Sequence, residues 1–399
     1  MSIYNQTPTQ QDLFSRMMAE KFHSSQSLNN NMAFMSFFGN SSAGGRSLFT
    51  NDALSVDIDV IKDNTTIAAL TTRGSNPTLN NKNTQGQKAS STSRLFPIST
   101  GHGTITADQL YTRQLGENAY SPADKYSRYR QIAETIFTDK IRAQVWLFEL
   151  MASESMLTGK MKVDEFGSKV DFGRNADNTV NAALPWTNAS STPLDDIDEI
   201  CVLVDVNGNA EPDMVTLDVE SYDAFIKHAT VQAIADNKGY SIIFAGDRMY
   251  KEPEAKYARH IKAGWRPRAI LTTKSGYQVW LFTYLGRYTD ASGDRQGYMP
   301  QGTVMATSAS ARFDRYFGPS DKMPDQLSTN SVIEQSFGYS SEMVPGMSAG
   351  ADSILDPRQF HFFAYGRGNN SAIDLEIQTA PIYACVQVDA VAVMKLTIT

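Results

Sequence analysis

The chain has 399 residues, a formal net charge of −7 and hydrophobic side chains at 41% of positions, an ordinary soluble composition with room for two or more packed layers. No run of about 18 apolar residues occurs, which argues against a membrane-spanning helix, and the acidic balance argues against a dedicated nucleic-acid binder. The polar start, MSIYNQTPTQQDLF, reads as no secretory signal. Cys201 and Cys385 sit among apolar neighbours and read as buried free thiols of a chain made in a reducing cytoplasm.

Residues 1–47 read as an extended arm, rich in Asn, Gln, Ser and Met and closed by Gly44-Gly45. Its apolar knot, Met32 to Phe38, either docks on another surface or belongs to a frayed terminus. Leu54, Val56, Ile58 and Val60 then alternate with Ser55, Asp57 and Asp59, the period of a half-buried strand. A polar stretch from Thr71 to Ser93 follows, and an apolar segment returns from Leu95 to Thr106. The pattern is that of a long two-stranded excursion with a mobile tip, which needs a partner because an isolated hairpin is marginal in water. No Asp or Glu lies between Asp63 and Asp108, whereas Arg73, Lys82, Lys88 and Arg94 do. These four are either solvated charges or a subunit-contact surface on an otherwise acidic chain.

The longest predicted helix comes next. Ser121 suits the N-cap, Pro122 the first helical position and Asp124 a capping-box-like place. No Gly or Pro interrupts Ala123 to Thr158. Tyr126, Tyr129, Ala133, Ile136, Ile141, Val145, Phe148 and Ala152 form one apolar stripe, and about 1.5 Å per residue gives roughly 50 Å. A short β segment spans Lys160 to Gly173. A second helix starts near Thr192, with Ile197, Ile200, Cys201 and Val204 at helical spacing and Asp195, Asp196, Asp198 and Glu199 near the positive end of its dipole. From Ala210 the style is α/β. Strands are expected at Met214–Leu217, Tyr240–Phe244, Ala269–Thr273, Gln278–Tyr284 and Thr303–Ala306, with a helix from Asp218 to about Ala235 and a polar loop from Arg287 to Gln301. Gly318 to Pro357 reads as loose, and such a length without structure is usually functional or disordered. The C-terminus is β again, from the alternation of Ile373, Leu375 and Ile377 to Ile398.

No enzyme signature emerges. The five histidines, His23, His102, His228, His260 and His361, show no metal-ligand spacing, and no H-E-x-x-H, C-x-x-C, phosphate loop or G-x-S-x-G occurs. The acids from Asp195 to Glu199 are better explained by a helix N-terminus than by calcium. No catalytic, cofactor-binding or metal-ligating residue is assigned.

Val170-Asp171-Phe172-Gly173-Arg174, Asn178, Trp186, Pro193 and Asp195-Asp196-Ile197 stand in the order of a known family, as do Gln378-Thr379-Ala380-Pro381 and the strand-to-helix passage from Asp213 to Phe225. On these motifs and the element order, the chain resembles the tailed-phage capsid proteins of the Hong Kong 97-like fold, and within them the lambda major capsid protein E family. The resemblance implies an α+β fold. Residues 1–47 would be an arm and 48–115 an extended loop lying over a neighbouring subunit. Residues 116–209, completed by 366–399, would form a peripheral domain with a spine helix, and 210–365 an axial domain around the five- and six-fold positions. It makes Gly173, Arg174, Trp186, Asp195 and Ile197 framework residues and Arg73, Lys82, Lys88 and Arg94 contact candidates. The implied function is a head shell assembled in the host bacterial cytoplasm, enclosing double-stranded DNA without sequence-specific contact. The implied partners are copies of itself as hexamers and pentamers, a portal protein, on some shells a decoration protein, and a separate scaffolding protein, since the arm is too short to hold one. The stretch from Gly318 to Pro357 is longer than the resemblance requires. A tail tube subunit would share β-rich arms without needing the long helix, and a soluble α/β enzyme would place its site in the loose stretch.

Overall fold

The computed structural model describes residues 32–50, 53–62, 88–113, 124–163, 168–233, 241–244, 254–290, 292–321, 334–337, 354–355, 359–366 and 372–397. The apolar knot folds as a 3-10 turn at Phe34–Ser36 and leads into β1 (Ser47–Phe49). β2 (Ser55–Lys62) and β3 (Lys88–Leu95) pair antiparallel, Ser55 opposite Leu95 and Lys62 opposite Lys88. The return strand thus falls inside the stretch read as a polar tip. The segment after Leu95 turns away into another sheet as β4 (Ser99–Thr106). β3 is mostly Ser and Thr, and ladder bonds between backbones need no apolar alternation, so the sequence pattern misses it. Ile58 and Val60 are buried as the alternation requires, but Leu54 is 70% exposed because it precedes the paired segment.

α1 (Ala107–Tyr111) is a single turn before the spine helix, α2 (Lys125–Thr158). Asp124 occupies its N-cap and accepts from the Ser127 N–H at 3.3 Å; Ser121 and Pro122, expected to open it, lie outside the described residues. Its 34 residues span about 51 Å. Ala133, Ile141, Val145, Phe148 and Ala152 are buried, joined by Phe137, while Tyr129 and Ile136 are half-buried; the side chain of Tyr126 lies outside the described residues. β5 (Lys160–Lys162) and β6 (Lys169–Asp171) form a hairpin at its end, followed by β7 (Thr179–Asn181) and α3 (Pro193–Gly208). Ile197, Ile200, Cys201 and Val204 are all fully buried, so helical spacing prevails over the Val-rich run.

β8 (Met214–Leu217) ends at Asp218, whose carboxylate accepts from the Ser221 N–H and opens α4 (Val219–Lys227). The single helix expected there breaks at His228, whose extended backbone and ring nitrogen start a second turn, α5 (Ala229–Gln232). β9 (Ser241–Phe244), α6 (Ala255–Ala263), β10 (Arg266–Thr272) and β11 (Gln278–Thr283) follow. The region read as a polar loop holds a hairpin, β12 (Arg287–Thr289) and β13 (Arg295–Gly297). Asp290 organises its turn by accepting from the Ser292 and Asp294 N–H groups. The remaining strands are β14 (Thr303–Thr307), β15 (Phe313–Phe317), β16 (Glu334–Phe337), β17 (His361–Gly366), β18 (Ala372–Thr379), β19 (Pro381–Cys385) and β20 (Val391–Lys395). Of the loose stretch, only 318–321, β16 and 354–355 are described.

Two larger sheets organise the molecule. The first is antiparallel in the order β16-β17-β18-β4, and α2 lies against its β4 and β18 members. The second has seven strands in the order β7-β20-β14-β8-β11-β10-β9. Val215, Leu217, Val279, Leu281, Val304 and Ala306 face a core shared with α3 and α4, while Met214, Trp280, Phe282 and Met305 face the larger core around α2. Burial on both faces is why these strands read as continuous apolar runs. The sheet draws on residues 179–181, 214–307 and 391–395. A smaller sheet, β1-β15-β19, joins the arm to the body, with β1 parallel to β15.

Candidate functional site

The arm's knot docks on its own chain. Met32 to Phe38 are all buried, in a socket made by α2, α6, Trp265, β15 and β19. Phe34 meets Trp265 edge-on at 5.1 Å between ring centres, Phe37 lies over the His260 ring at 4.4 Å, and Phe38 meets Phe313 and Tyr383 at 5.5 and 5.2 Å. Polar contacts fix the segment at both ends. The buried Glu149 carboxylate of α2 accepts from the Phe34 and Met35 N–H groups at 2.8 and 2.9 Å. Arg259 donates to the Ser36 and Phe38 carbonyls at 2.8 and 3.0 Å, and the Trp265 indole to the Ala33 carbonyl at 2.8 Å. A carboxylate thus sits at the amino end of the turn and a guanidinium at its carboxyl end, as the backbone dipole favours. Burial pushes the Glu149 carboxyl up to about 7 despite the backbone N–H groups and the Tyr284 hydroxyl that act against it. His260, fully buried with Nδ1 at 2.7 Å from the Ser36 hydroxyl, is pushed down to about 3 by burial and the Arg259 charge. Sequence reasoning missed both, although Glu149 stands four residues after Val145 and one after Phe148, on the apolar stripe itself.

The Gly-Arg turn closes the other end of the spine helix. Gly173 has φ +72°, a left-handed conformation that favours glycine, and its N–H donates to Asp171 Oδ1 at 2.7 Å. Asp171 also pairs with Lys160 at 2.8 Å. The turn aims Arg174 at the carbonyls of Met156 and Leu157, in the last turn of α2. Those carbonyls lack helical partners, so Arg174 caps the helix and places its charge at the negative end of the dipole. Asn178 is buried and donates to the carbonyls of Asp389 and Val391 at 2.8 and 3.2 Å. Trp186 is 2% exposed and donates its indole N–H to Asp196 Oδ2 at 2.7 Å, tying the segment to the first turn of α3. Burial raises the Asp196 carboxyl. Ile197 is fully buried and Asp195 exposed, so the indole's partner is the acid between them.

Of the four contact candidates, two fall on described residues, both in β3. Arg73 and Lys82 lie outside the described residues. Lys88 opens β3 opposite Lys62, its side chain undescribed, and Arg94 is half-buried opposite Val56. The Ile61 N–H donates to the Val386 carbonyl at 2.9 Å, which ties the hairpin to the body. Cys201 and Cys385 are buried free thiols, pushed up by burial. Among the described residues, no group of three His, Cys, Asp or Glu side chains is placed to hold a metal ion.

Residues 26–396 match the sequence profile of a family described as phage major capsid protein E. Among solved structures, one assigned to a prophage capsid protein of Escherichia coli CFT073 superposes with a TM-score of 0.55 at 13% identity, covering 92% of this chain and 93% of that chain. That likeness shows a shared fold. A phage-related protein of Bordetella bronchiseptica RB50 gives 0.46 at 10% identity, with 92% of each chain covered, and a chain of Mycobacterium phage Patience gives 0.43 at 9%, covering 100% of this chain and 92% of that one. No curated protein sequence matches significantly.

Proposed function

This chain belongs to the phage major capsid protein E family, and from that premise we propose how its parts build the shell. It is a major capsid protein of the Hong Kong 97-like fold, a structural component of the virion that assembles with copies of itself into the head shell. In the proposed arrangement residues 48–115 are the extended loop, α2 is the spine of a peripheral domain that 366–399 complete, and 210–365 form an axial domain around the hexamer and pentamer axes. Assembly takes place in the bacterial cytoplasm on a separate scaffolding protein, meets a portal protein at one vertex and encloses double-stranded DNA without reading its sequence. The role is structural and no catalytic step is assigned.

The observation that carries this reading is that, among the described residues, β2 pairs with β3 and with no other strand. A two-stranded ribbon is marginal by itself. The described part of the ribbon is tied to the body by the Ile61 N–H and by the burial of Ile58 and Val60. Laid over a neighbour, the ribbon gains the area it lacks, and symmetry repeats that gain at every subunit. Arg73, Lys82, Lys88 and Arg94 then meet acids of the neighbour's spine helix, with Asp124 and Glu134 as candidates. Negative-stain microscopy of the purified protein tests the reading. Closed icosahedral shells are expected; tubes or discrete monomers under assembly conditions would overturn it.

A further inference from the structure

Three arginines that nothing above employs surround one cavity. Arg266 opens β10, Arg287 opens β12 and Arg295 opens β13; with Gly264, Tyr284, Leu285 and Gly286 they line a cavity of about 300 Å³. In the β12–β13 register Arg287 faces Gly297 and Thr289 faces Arg295. Arg287 and Arg295 are therefore diagonal neighbours on one face of the ribbon, about 7–8 Å apart at their backbones. All three side chains are exposed, and among the described residues none makes an ion pair or a side-chain hydrogen bond. Among the described residues, no acid lines the cavity.

We propose that this cavity is a seat for a carboxylate-bearing segment of a second copy of the chain, a specific subunit contact that rests on the shell-forming role above. Three like charges on one rim repel each other, and an anion placed between them relieves that repulsion. Guanidinium groups present paired N–H donors that match a carboxylate in a fork. Leu285, 42% exposed, adds an apolar edge that a peptide segment covers and a phosphate backbone does not. The seat is a pocket of side-chain size, whereas duplex DNA is tracked by a basic stripe. The chain itself supplies the complement, with 43 Asp and Glu against 36 Lys and Arg, so every neighbouring copy brings carboxylates at the concentration of the shell.

The test compares wild type with the triple variant Arg266→Glu/Arg287→Glu/Arg295→Glu by sedimentation and electron microscopy. The melting temperature of the unassembled protein is the folding control. The expected result is an unchanged melting temperature and at least a tenfold rise in the concentration needed for shells. A second variant, Arg287→Lys/Arg295→Lys, keeps the charge and permits carbodiimide coupling. In shells mixed from isotope-labelled and unlabelled copies, peptides joined through position 287 or 295 to an acidic residue of the other isotope support the seat and identify its occupant. Wild-type-like assembly of the triple variant overturns the proposal, as does the absence of any mixed-isotope cross-link. So does normal assembly with reduced DNA retention, which would make the arginines a phosphate contact. Failure of wild type itself to form shells is a distinct outcome, which removes the shell-forming role and this contact with it.

Discussion

Glu149 and His260 hold the same turn of chain and titrate in opposite senses. The Glu149 carboxyl is raised from 4.5 to about 7 in the fold, so the folded state binds the extra proton. Its contribution is complete below pH 4.5 and declines as pH rises towards 7. His260 is lowered from 6.5 to about 3, so the unfolded state binds the extra proton, and its contribution grows over that interval. Between pH 4.5 and 6.5 the two slopes cancel. Glu149→Gln should leave the His260 slope exposed: denaturant titrations should show stability climbing with pH in this window by about 1 kcal/mol per unit relative to wild type, from a lower baseline. A variant curve parallel to wild type would remove Glu149 as the titrating group. Arg174 poses a simpler test. Arg174→Met keeps the apolar stem and removes the cap, so chemical denaturation should show a loss of about 1–3 kcal/mol, because two carbonyls then lack their partner. At this scale the sequence is only partly legible. A Gly-Arg pair following an aspartate marks a turn, but that its arginine reaches back to Met156 and Leu157 depends on two strands folding between them.

At the scale of elements, the spine helix depends on what crosses it. A Cβ added at Gly103 of β4 would lie 2.3 Å from Ile136 Cγ2, so strand and helix approach closely enough to exclude a methyl group. Gly103→Ala should destabilise by about 1–3 kcal/mol, and Ile136→Ala, which deletes the obstructing methyl, should relieve part of that cost. Thermal melts of the single and double variants measure the coupling; additive effects would mean the helix simply shifts. The helix itself is legible because 34 residues without Gly or Pro repeat one stripe. α6 is missed although Tyr257, His260 and Ala263 are all buried at helical spacing, since nine residues give a weak period. The β12–β13 ribbon is missed because its strands expose most of their residues and are defined by backbone pairing around Asp290.

At the scale of the whole molecule, assembly multiplies small terms. An exposed ion pair contributes about 0–1 kcal/mol, which is minor in a monomer but recurs at each contact of a shell. Reversing Lys82 and Lys88 to Glu should therefore raise the protein concentration needed for assembly and leave the unassembled protein's melting temperature nearly unchanged. High salt should weaken wild-type assembly in the same direction. Equal assembly at every salt concentration would leave backbone pairing and shape as the whole contact. The element order, and with it the family, is legible from a handful of turns and caps. The sheet partners are not: β7 joins β20 across more than 200 residues of sequence, and no local period encodes such a pairing.

That long-range pairing sets a timetable. β20 is an interior strand, with β14 on one side and β7 on the other, so until residues 391–395 are made β14 is left as an unpaired edge, β7 has no partner in this sheet and the core behind Ala392 and Met394 is incomplete. A nascent chain can form its spine helix from local contacts, but the second layer closes only once residues 391–395 have been made. A copy that lacks this strand therefore cannot present the finished sheet to a neighbour, so the subunit's competence to polymerise waits on this long-range pairing.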